Sequence, residues 1–466
     1  MTESCRSNQT SKIAHPFYAL LIILILASVL ANLIPSGKYE RQVVNGRTIV
    51  IADSYHQVEK QYVGVPTFFL SFYHGFKNAS GLMALIFFAG GAFGVINRIG
   101  LMEAAIKTLA QKLRNTSFYL ISFILMLVIG TQVAFTSMWE LSVVIIPMIV
   151  PLVLALGYDS VTGACIVIFS ACAGFGAAMT NPLFTAIAHK LAELPIYSAL
   201  WFRGISFISM LLLCYAFLMR YATKVKNDPS KGLLADMDSR FSPMNNHIAP
   251  FTPALIRAGF TFIAVFAFLL YGTVALGFDF PEITACFAAM GLLTGLVHGS
   301  SPNEICEMMG DGMKDLFFGG MVMLFARAVL YVMETAMIVD TVIAFLAQFV
   351  VGHSPTITAI LLLYMQTIIN FFIPSGSGQA AITIPIVIPL ADMGGVTRQV
   401  ACLASQFGDG FSNFIYPTNG SLIAILMVAG IPYRKWFKLF LPLFLMIMLL
   451  STLIVAVGVA INLGPF

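Results

Sequence analysis

The chain has 466 residues and a mean hydropathy of +0.90, with 59% hydrophobic and only 10% charged residues. Soluble domains carry roughly 25% charged residues, so this composition excludes a soluble globular protein and indicates a polytopic membrane protein. The net charge of +4 is small and gives no sign of a nucleic-acid partner, and the seven scattered cysteines show neither metal-ligand nor disulfide spacing.

The first part of the chain predicts two spans joined by an external loop. Residues 1–12 are polar and mildly basic, which favours a cytoplasmic amino terminus. The elements that follow are a span at about 16–35, an external loop over 36–80 with a strand-like run at 47–51 and an interfacial segment at 65–76, a second span at 81–98, and an amphipathic helix at 101–114 on the inner surface.

An ambiguity in the next stretch decides the topology. Two apolar arms, 116–134 and 141–157, flank the polar run 131–140. If both arms cross the membrane, this run lies in external solvent. If they form a re-entrant hairpin over 116–157, it lies near the membrane midplane.

The remaining elements include a second hairpin and two broken spans. In order they are a broken span at 159–192 interrupted at 180–182, a span at 198–219, a basic linker at 220–252, spans at 253–276, 282–299 and 316–335, an interfacial stretch at 337–352, a hairpin at 355–394, a broken span at 396–430 and a final span at 438–460. Breaks rich in Gly, Pro, hydroxyls and amides persist in a bilayer only where protein or a water-filled cavity satisfies the backbone. Together they point to a solute site.

An internal repeat relates the two halves, 1–219 and 253–466. Pro147 matches Pro385 at an offset of 238 positions, and the same offset joins the Thr-Asn pair at 180–181 to that at 418–419. Further matches at offsets of 238 and 237 are Pro151 with Pro389, Ser137 with Ser375, Gly75 with Gly312 and Lys77 with Lys314. A frame shared over more than a hundred residues predicts a structural duplication.

Charge placement predicts that the two copies are inverted. Reading 116–157 and 355–394 as hairpins places the basic segments 98–115, 220–250 and 434–438 inside, and it leaves 276–282 and 335–354 outside with no Lys or Arg in either. An odd number of spans then separates the hairpins, so the first enters from the cytoplasm and the second from outside. The predicted fold is an all-α polytopic membrane protein of two inverted repeats, with nine transmembrane helices and two re-entrant hairpins.

The motif PSGSGQAAITIPI…QFGDGFSNFIYPT, with FGVINRIG earlier, resembles the YfcC-like branch of the C4-dicarboxylate anaerobic carrier (DcuC-type) family in the ion transporter superfamily. The resemblance covers most of the chain. It implies a scaffold domain and a mobile transport domain, a homodimer, elevator-type alternating access and a bacterial inner-membrane location. Related members place Ser-Asn-Thr groups in the matching hairpins and breaks, which this sequence echoes at Ser375, Ser412-Asn413 and Thr418.

The interrupted helices suggest which residues bind substrate. Half-helix ends present unpaired N–H groups, which favour a carboxylate, and unpaired carbonyls, which with hydroxyls and amides favour Na⁺. The predicted substrate-binding residues are Thr136, Ser137, Glu140, Thr180, Asn181, Ser375, Gly376, Ser377, Gly378, Gln379, Ser412, Asn413, Thr418 and Asn419. The alternative is that these groups only hydrogen-bond helix to helix.

Two acids at these positions are predicted ion-coupling residues, Glu140 and Asp409. Acids inside a membrane are costly and usually functional. Glu140 could hold a proton, bind Na⁺ or pair with a substrate ammonium, or it could cap the hairpin helix. The alternative for Asp409 is that it satisfies backbone N–H groups at the break. Arg327 and Glu334 share one helix face, which favours a structural ion pair or a cavity-lining role. His189 is interpreted as interfacial.

These features favour a secondary transporter, symporter or antiporter, for a small carboxylate-bearing solute, either an amino acid or a C4-dicarboxylate. The negative charge of Glu140 favours an α-amino or basic amino acid, and this preference reverses if Glu140 is simply a Na⁺ or proton site. No cofactor is expected beyond Na⁺ or H⁺ as coupling ion, and no catalytic motif indicates an enzyme. The alternative is a channel or a non-transporting membrane scaffold.

Overall fold

The computed structural model describes residues 16–44, 47–51, 54–113, 115–182, 184–235, 252–350 and 352–464. The predictions for residues 1–12, for Arg114 and for most of the linker lie outside these ranges. Within them the protein is helical apart from two small β ladders.

The amino-terminal half contains eight helices. They are α1 Pro16–Leu33, α2 Val65–Arg98, α3 Leu101–Leu113, α4 Phe118–Thr136, α5 Ser142–Ala155, α6 Ser160–Gly176, α7 Thr185–Leu191 and α8 Leu200–Asn227. Helix α6 ends at Gly176 and α7 begins at Thr185, so residues 180–182 lie between two separate helices.

The carboxy-terminal half contains nine helices. They are α9 Pro253–Tyr271, extended by a π-helical turn Gly272–Leu276, α10 Phe280–His298, α11 Pro302–Thr335, α12 Val339–Ala347, α13 Pro355–Phe372, α14 Gly376–Met393, α15 Arg398–Ser412, α16 Gly420–Ala429 and α17 Tyr433–Ala460. Local sequence starts several of them: Asp279 with Glu282, and Ser301 with Glu304, form capping boxes ahead of α10 and α11.

The helix α2 corrects the prediction for residues 65–80. An interfacial segment and a loop were expected, but one helix of 34 residues begins at Val65. Lys77, Asn78 and Ser80 lie on its exposed side. Ser71, Gly75 and Ala79, spaced four apart, are buried, and Gly75 packs against α11 at Leu324 and Ala328.

The long helices α2 and α11 form the central pair of one part of the molecule. Both have 34 residues, and each end of α11 follows the matching end of α2 by 237 positions. Gly75 meets Leu324, Gly90 meets Gly312 and Gly94 meets Met308, so the two helices run antiparallel. Helix α10 packs against α2, and α1 packs against α11.

Seven helices of the described residues are long and apolar enough to cross a membrane, and α11, bent by 46° between Pro302–Phe317 and Gly319–Thr335, would make eight. These seven include α4 and α13, which the sequence predicted as hairpin arms. The broken spans account for much of the difference from nine, because α6, α7, α15 and α16 are each too short alone. The chain is a multi-pass membrane protein.

The segment between α1 and α2 contains the predicted strand. β2 Arg41–Val44 pairs antiparallel with β3 Arg47–Val50, and β1 Gly37–Lys38 pairs with β4 His56–Gln57. The segment is fixed to α12, because Arg41 donates to both carboxylate oxygens of Asp340 at 2.9 and 2.8 Å. The N–H of Tyr39 donates to the same carboxylate at 2.9 Å.

The deepest part of the core surrounds the two broken helices. Every residue of α6 is buried, and so is every residue of α15 from Gln399 to Ser412. Helices α4, α5 and α8 pack against α6, and α13, α14 and α17 pack against α15. The interrupted helices therefore lie at the centre of a second part of the molecule.

Candidate functional site

The first hairpin turns between α4 and α5. Ser137 ends α4 in the left-handed conformation, with φ of 61°, and its N–H donates to the carbonyl of Val133 at 2.7 Å. Thr136 accepts the N–H of Met138 at 3.2 Å, and a 3₁₀ turn, Trp139–Leu141, carries Glu140. The hydroxyl of Thr136 is thus used within the turn.

The first break is hydrogen-bonded to this hairpin tip. The N–H groups of Met179 and Thr180 donate to the carbonyl of Ala134 at 3.0 and 3.2 Å, and the Thr180 hydroxyl donates to that of Phe135 at 3.0 Å. Asn181 accepts the N–H of Phe184 at 2.9 Å and shapes the turn into α7. Tip and break therefore form one unit.

The second hairpin tip is more helical than predicted. Helix α14 begins at Gly376, so Gly376, Ser377, Gly378 and Gln379 form its first turn, with Ser375 just before it. The buried Gln379 donates to Gln366 of α13 at 2.6 Å, which ties the arms together. Ser375 makes no capping hydrogen bond, so the hairpin end keeps its open donors.

A connected set of amides builds the second break. Asn419 caps α16 by accepting the N–H of Leu422 at 3.3 Å, and it donates to Asn413. Asn413 donates to the carbonyl of Asp409 at 2.8 Å, and Ser412 accepts from Asn370 at 2.7 Å. Asn413, Asn419 and Ser412 thus hold the break in shape.

The four interrupted segments converge. A Cβ on Gly376 would lie 3.3 Å from Oδ2 of Asp409 and 3.7 Å from Cβ of Phe184, so the second tip meets both broken helices. Trp139 of the first tip packs on Phe414 of the second break, with ring centroids 4.8 Å apart. The structure thus brings the sequence-predicted positions into one region.

Several buried polar atoms in this region have no hydrogen-bond partner in the described part of the chain. They are both carboxylate oxygens of Asp409, Oγ of Ser137 and Oγ1 of Thr418. A buried polar group without a partner costs on the order of 1–3 kcal/mol, and a charged one more. Carboxylate and hydroxyl oxygens are ligands for a hard cation or for the N–H groups of a solute, and this chemistry suits a binding site.

A buried cation, Arg203, was missed by the sequence reasoning. It is 1% exposed and donates to the carbonyl of Ala178, just beyond α6, at 3.3 Å and to Nε2 of His189 at 3.0 Å. Arginine can only donate, so His189 accepts at Nε2, and its Nδ1–H donates to the carbonyl of Pro195 at 3.2 Å. The interfacial interpretation of His189 is wrong, because its side chain is fully buried.

The role of Arg203 follows from its place beside the carboxyl end of α6. That end carries a partial negative charge and unpaired carbonyls, which a guanidinium stabilises. Neighbouring bonds join the halves: Thr185 donates to Gln406 at 3.0 Å and Ser198 donates to Gln399 at 2.6 Å. One signal was available, since an arginine interrupts an apolar run over 200–213.

The predicted ion pair between Arg327 and Glu334 is not formed. No ion pair within 4.0 Å between described residues includes either of them or Glu140. Seven residues on one helix face are two turns apart, which is a long reach for a direct pair.

Comparison with known proteins identifies the family. The family model of the C4-dicarboxylate anaerobic carriers matches residues 14–460. The chain belongs to the C4-dicarboxylate anaerobic carrier (DcuC) family. As a member of this family it is a membrane transporter. It is 30% identical over 394 residues to an Escherichia coli protein named "Putative basic amino acid antiporter YfcC", covering 82% of this chain and 78% of that protein.

Other relatives of this DcuC-family chain carry less functional information. An uncharacterized Haemophilus influenzae protein is 26% identical over 509 residues, covering 98% of this chain and 99% of that one. Among solved structures, the YdaH transporter of Alcanivorax borkumensis is 18% identical with a TM-score of 0.43 and coverage of 97% and 99%. MtrF of Neisseria gonorrhoeae, from a class of antimetabolite efflux pumps, is 20% identical with a TM-score of 0.43 and coverage of 97% and 96%.

Proposed function

We propose that this protein is a secondary active transporter that moves a small carboxylate-bearing solute across the bacterial cytoplasmic membrane. The observation that carries the proposal is the convergence of two hairpin tips and two helix breaks around polar atoms that lack partners among the described residues. Interrupted helices that meet within the membrane are a recurring design of secondary transporters. Membership of a carrier family supports the same class.

The proposed mechanism is alternating access by two inverted halves. Helices α2 and α11 occupy equivalent places in the chain and run antiparallel, as inverted copies must. In the proposal, α1, α2, α10 and α11 belong to a stationary scaffold, while the hairpins with α6, α7, α15 and α16 move as an elevator. The protein would act as a homodimer with a cytoplasmic amino terminus.

The proposed solute is an amino acid, with a C4-dicarboxylate as the second candidate. The family description names C4-dicarboxylates, whereas the Escherichia coli relative is named for basic amino acids. Glu140 and Asp409 place two acids at the converging segments, and negative charge there disfavours a dianion. We therefore favour a basic amino acid.

The proposed coupling site is the carboxylate of Asp409. It lies beside Gly376 in the first turn of α14 and has no hydrogen-bond partner among the described residues, although Asn413 is close by. A proton or Na⁺ would neutralise the charge while the site is buried, and this links ion binding to the movement of the site. Glu140 is the second candidate for this role.

Counterflow in proteoliposomes tests the proposed function. Purified full-length protein is reconstituted with unlabelled L-arginine inside and radiolabelled L-arginine outside, and the experiment is repeated with succinate. A secondary transporter gives transient accumulation of label above equilibrium for one of the two solutes. A channel equilibrates the label with no such overshoot, and a scaffold takes up no more than protein-free liposomes.

A further inference from the structure

The side chain of Arg327 projects from the proposed scaffold helix α11 beside the second break. A Cβ on Gly420, the first residue of α16, would lie 3.1 Å from Cα of Met323 and 3.2 Å from Cβ of Ala326. Arg327 follows Ala326 directly and lies one turn after Met323, so it projects from the part of α11 that covers the break. Its side chain is half-buried.

Glu140 lies in the turn of the first hairpin that packs against the same break. Its neighbour Trp139 is 3% exposed and packs on Phe414, and α5, which follows the turn, packs against α16. Glu140 and Arg327 therefore adjoin the segment 413–420 from the first hairpin and from the scaffold. Neither was expected from sequence to face the other.

These two opposite charges attract each other without closing into a pair. No ion pair within the described ranges includes either side chain, and the Glu140 carboxylate accepts from its own backbone N–H, although each side chain lies in the other's electrostatic field. Charged groups held inside a membrane protein without a partner are costly. Two opposite charges that do not pair with each other are suited to bind a ligand that carries one charge of each sign.

We propose that Arg327 binds the carboxylate and Glu140 the ammonium of an α-amino acid, an assignment that rests on the proposed transport function. The planar guanidinium binds a carboxylate in two parallel hydrogen bonds, and a carboxylate accepts from an ammonium. Glu334, two turns from Arg327 on the same face, lies about 10 Å further along the helix and is exposed. It takes the cationic end of a basic side chain.

Charge balance favours this ligand over a C4-dicarboxylate. Glu140, Arg327 and Glu334 together carry one net negative charge, which a basic amino acid with one net positive charge neutralises. A dicarboxylate would instead raise the local charge to three negatives. Two further charged residues act electrostatically on these acids, the negative Asp279 on Glu140 and the positive Arg41 on Glu334. Their charges have opposite signs, so together they leave the net charge unchanged.

The test uses three probes that differ by one charged group. They are L-arginine, agmatine, which lacks the carboxylate, and 5-guanidinovalerate, which lacks the α-ammonium. Dissociation constants are measured on purified full-length protein for the wild type, Arg327→Gln, Arg327→Lys, Glu140→Gln and the control Arg257→Gln, an exposed arginine on α9.

A crossed pattern is expected. Arg327→Gln weakens L-arginine and 5-guanidinovalerate by about tenfold or more and leaves agmatine within about twofold, since one charge-assisted contact is lost. Glu140→Gln weakens L-arginine and agmatine and spares 5-guanidinovalerate. Arg257→Gln changes none of the three dissociation constants. Arg327→Lys keeps the positive charge and replaces the glutamine variant if that variant does not fold. It weakens binding of L-arginine and 5-guanidinovalerate less than Arg327→Gln does.

Equal losses for all three probes would overturn the assignment, because a purely structural role weakens every ligand alike. If the wild type counterflows succinate but no amino acid, the transporter proposal stands and the assignment is overturned. If the wild type transports neither solute class, the proposed function itself fails.

Discussion

Gly410 of α15 packs directly on Gly176 of α6 at the point where the two broken helices cross. A Cβ on Gly410 would lie 2.5 Å from Cα of Gly176 and 3.2 Å from the carbonyl oxygen of Phe175. Such an approach of two backbones leaves no room for a side chain. Because α6 ends at Gly176 and α15 ends two residues after Gly410, the crossing fixes where both breaks begin.

Gly410→Ala should separate the broken helices. The added methyl group overpacks a buried contact, so we expect a loss of about 1–3 kcal/mol of stability together with loss of uptake. Gly310→Ala on α11 is the matched control, since a Cβ there meets nothing within 4 Å and helix propensity favours alanine. Thermal unfolding in detergent compares the two variants, and an unchanged Tm for Gly410→Ala would show that the crossing tolerates a side chain.

Asn419→Ala and Asn181→Ala should each abolish uptake and leave folded protein in the membrane. Loss of the Asn419 cap costs about 1 kcal/mol and frees Asn413, while loss of Asn181 releases the N–H of Phe184. Uptake of the solute identified by counterflow is the measurement. Asn303→Ala, an exposed position in the first turn of α11, is the control and should transport normally. Near-normal uptake by both site variants would contradict the hypothesis that the two Thr-Asn breaks play equivalent roles in transport.

Asp409→Asn should uncouple transport from its driving ion. The amide keeps the shape of the side chain but carries no negative charge that a proton or Na⁺ could neutralise. Uptake should therefore lose its response to an imposed Na⁺ or proton gradient. Without ligand, its Tm should not fall, because a buried carboxylate with no partner among the described residues has been removed. Asp392→Asn, whose carboxylate pairs with Arg398 at the surface, should respond to gradients as the wild type does. A gradient response that persists in Asp409→Asn assigns the coupling elsewhere.

Asp340→Ala should release the strand segment from α12. It removes a carboxylate, 5% exposed, that accepts from Arg41 and from the N–H of Tyr39. The expected loss is about 1–2 kcal/mol, since Arg41 is partly exposed and solvent screens part of the attraction. Limited proteolysis should cut the 36–64 segment faster in this variant. The control is Asp311→Ala, which removes an exposed ion pair with Lys314 and should change neither the cleavage rate nor the Tm.

The breaks and tips could be predicted because their signals are local. The Thr-Asn pairs at 180–181 and 418–419 act mainly on the residues that follow them, since Asn181 accepts the N–H of Phe184 and Asn419 accepts that of Leu422. The helical first turn of α14 was missed because its Gly-Ser-Gly sequence resembles a loop. In the structure the turn lies against Asp409 and Phe184, and no local pattern encodes that contact.

Partners distant in sequence explain the other failures. The sequence of residues 65–80 does not show that α11 packs over Gly75, so the helix there was not predicted. The buried pair of Arg203 and His189 is held by α7, α8 and the carboxyl end of α6, which sequence periodicity does not place together. The placement of Glu140 and Arg327 on either side of the second break likewise depends on how α5 and α11 pack around α16.

The antiparallel pairing of α2 with α11 sets an order for biosynthesis. The glycine face of α2 is complete when the ribosome reaches Arg98, but its partner begins 204 positions later, at Pro302. At about 5–20 residues per second, α2 waits about 10–40 s in the membrane with that face uncovered. Truncated chains that end before α11 should therefore be targets for membrane proteases, and chains that extend past Thr335 should escape them.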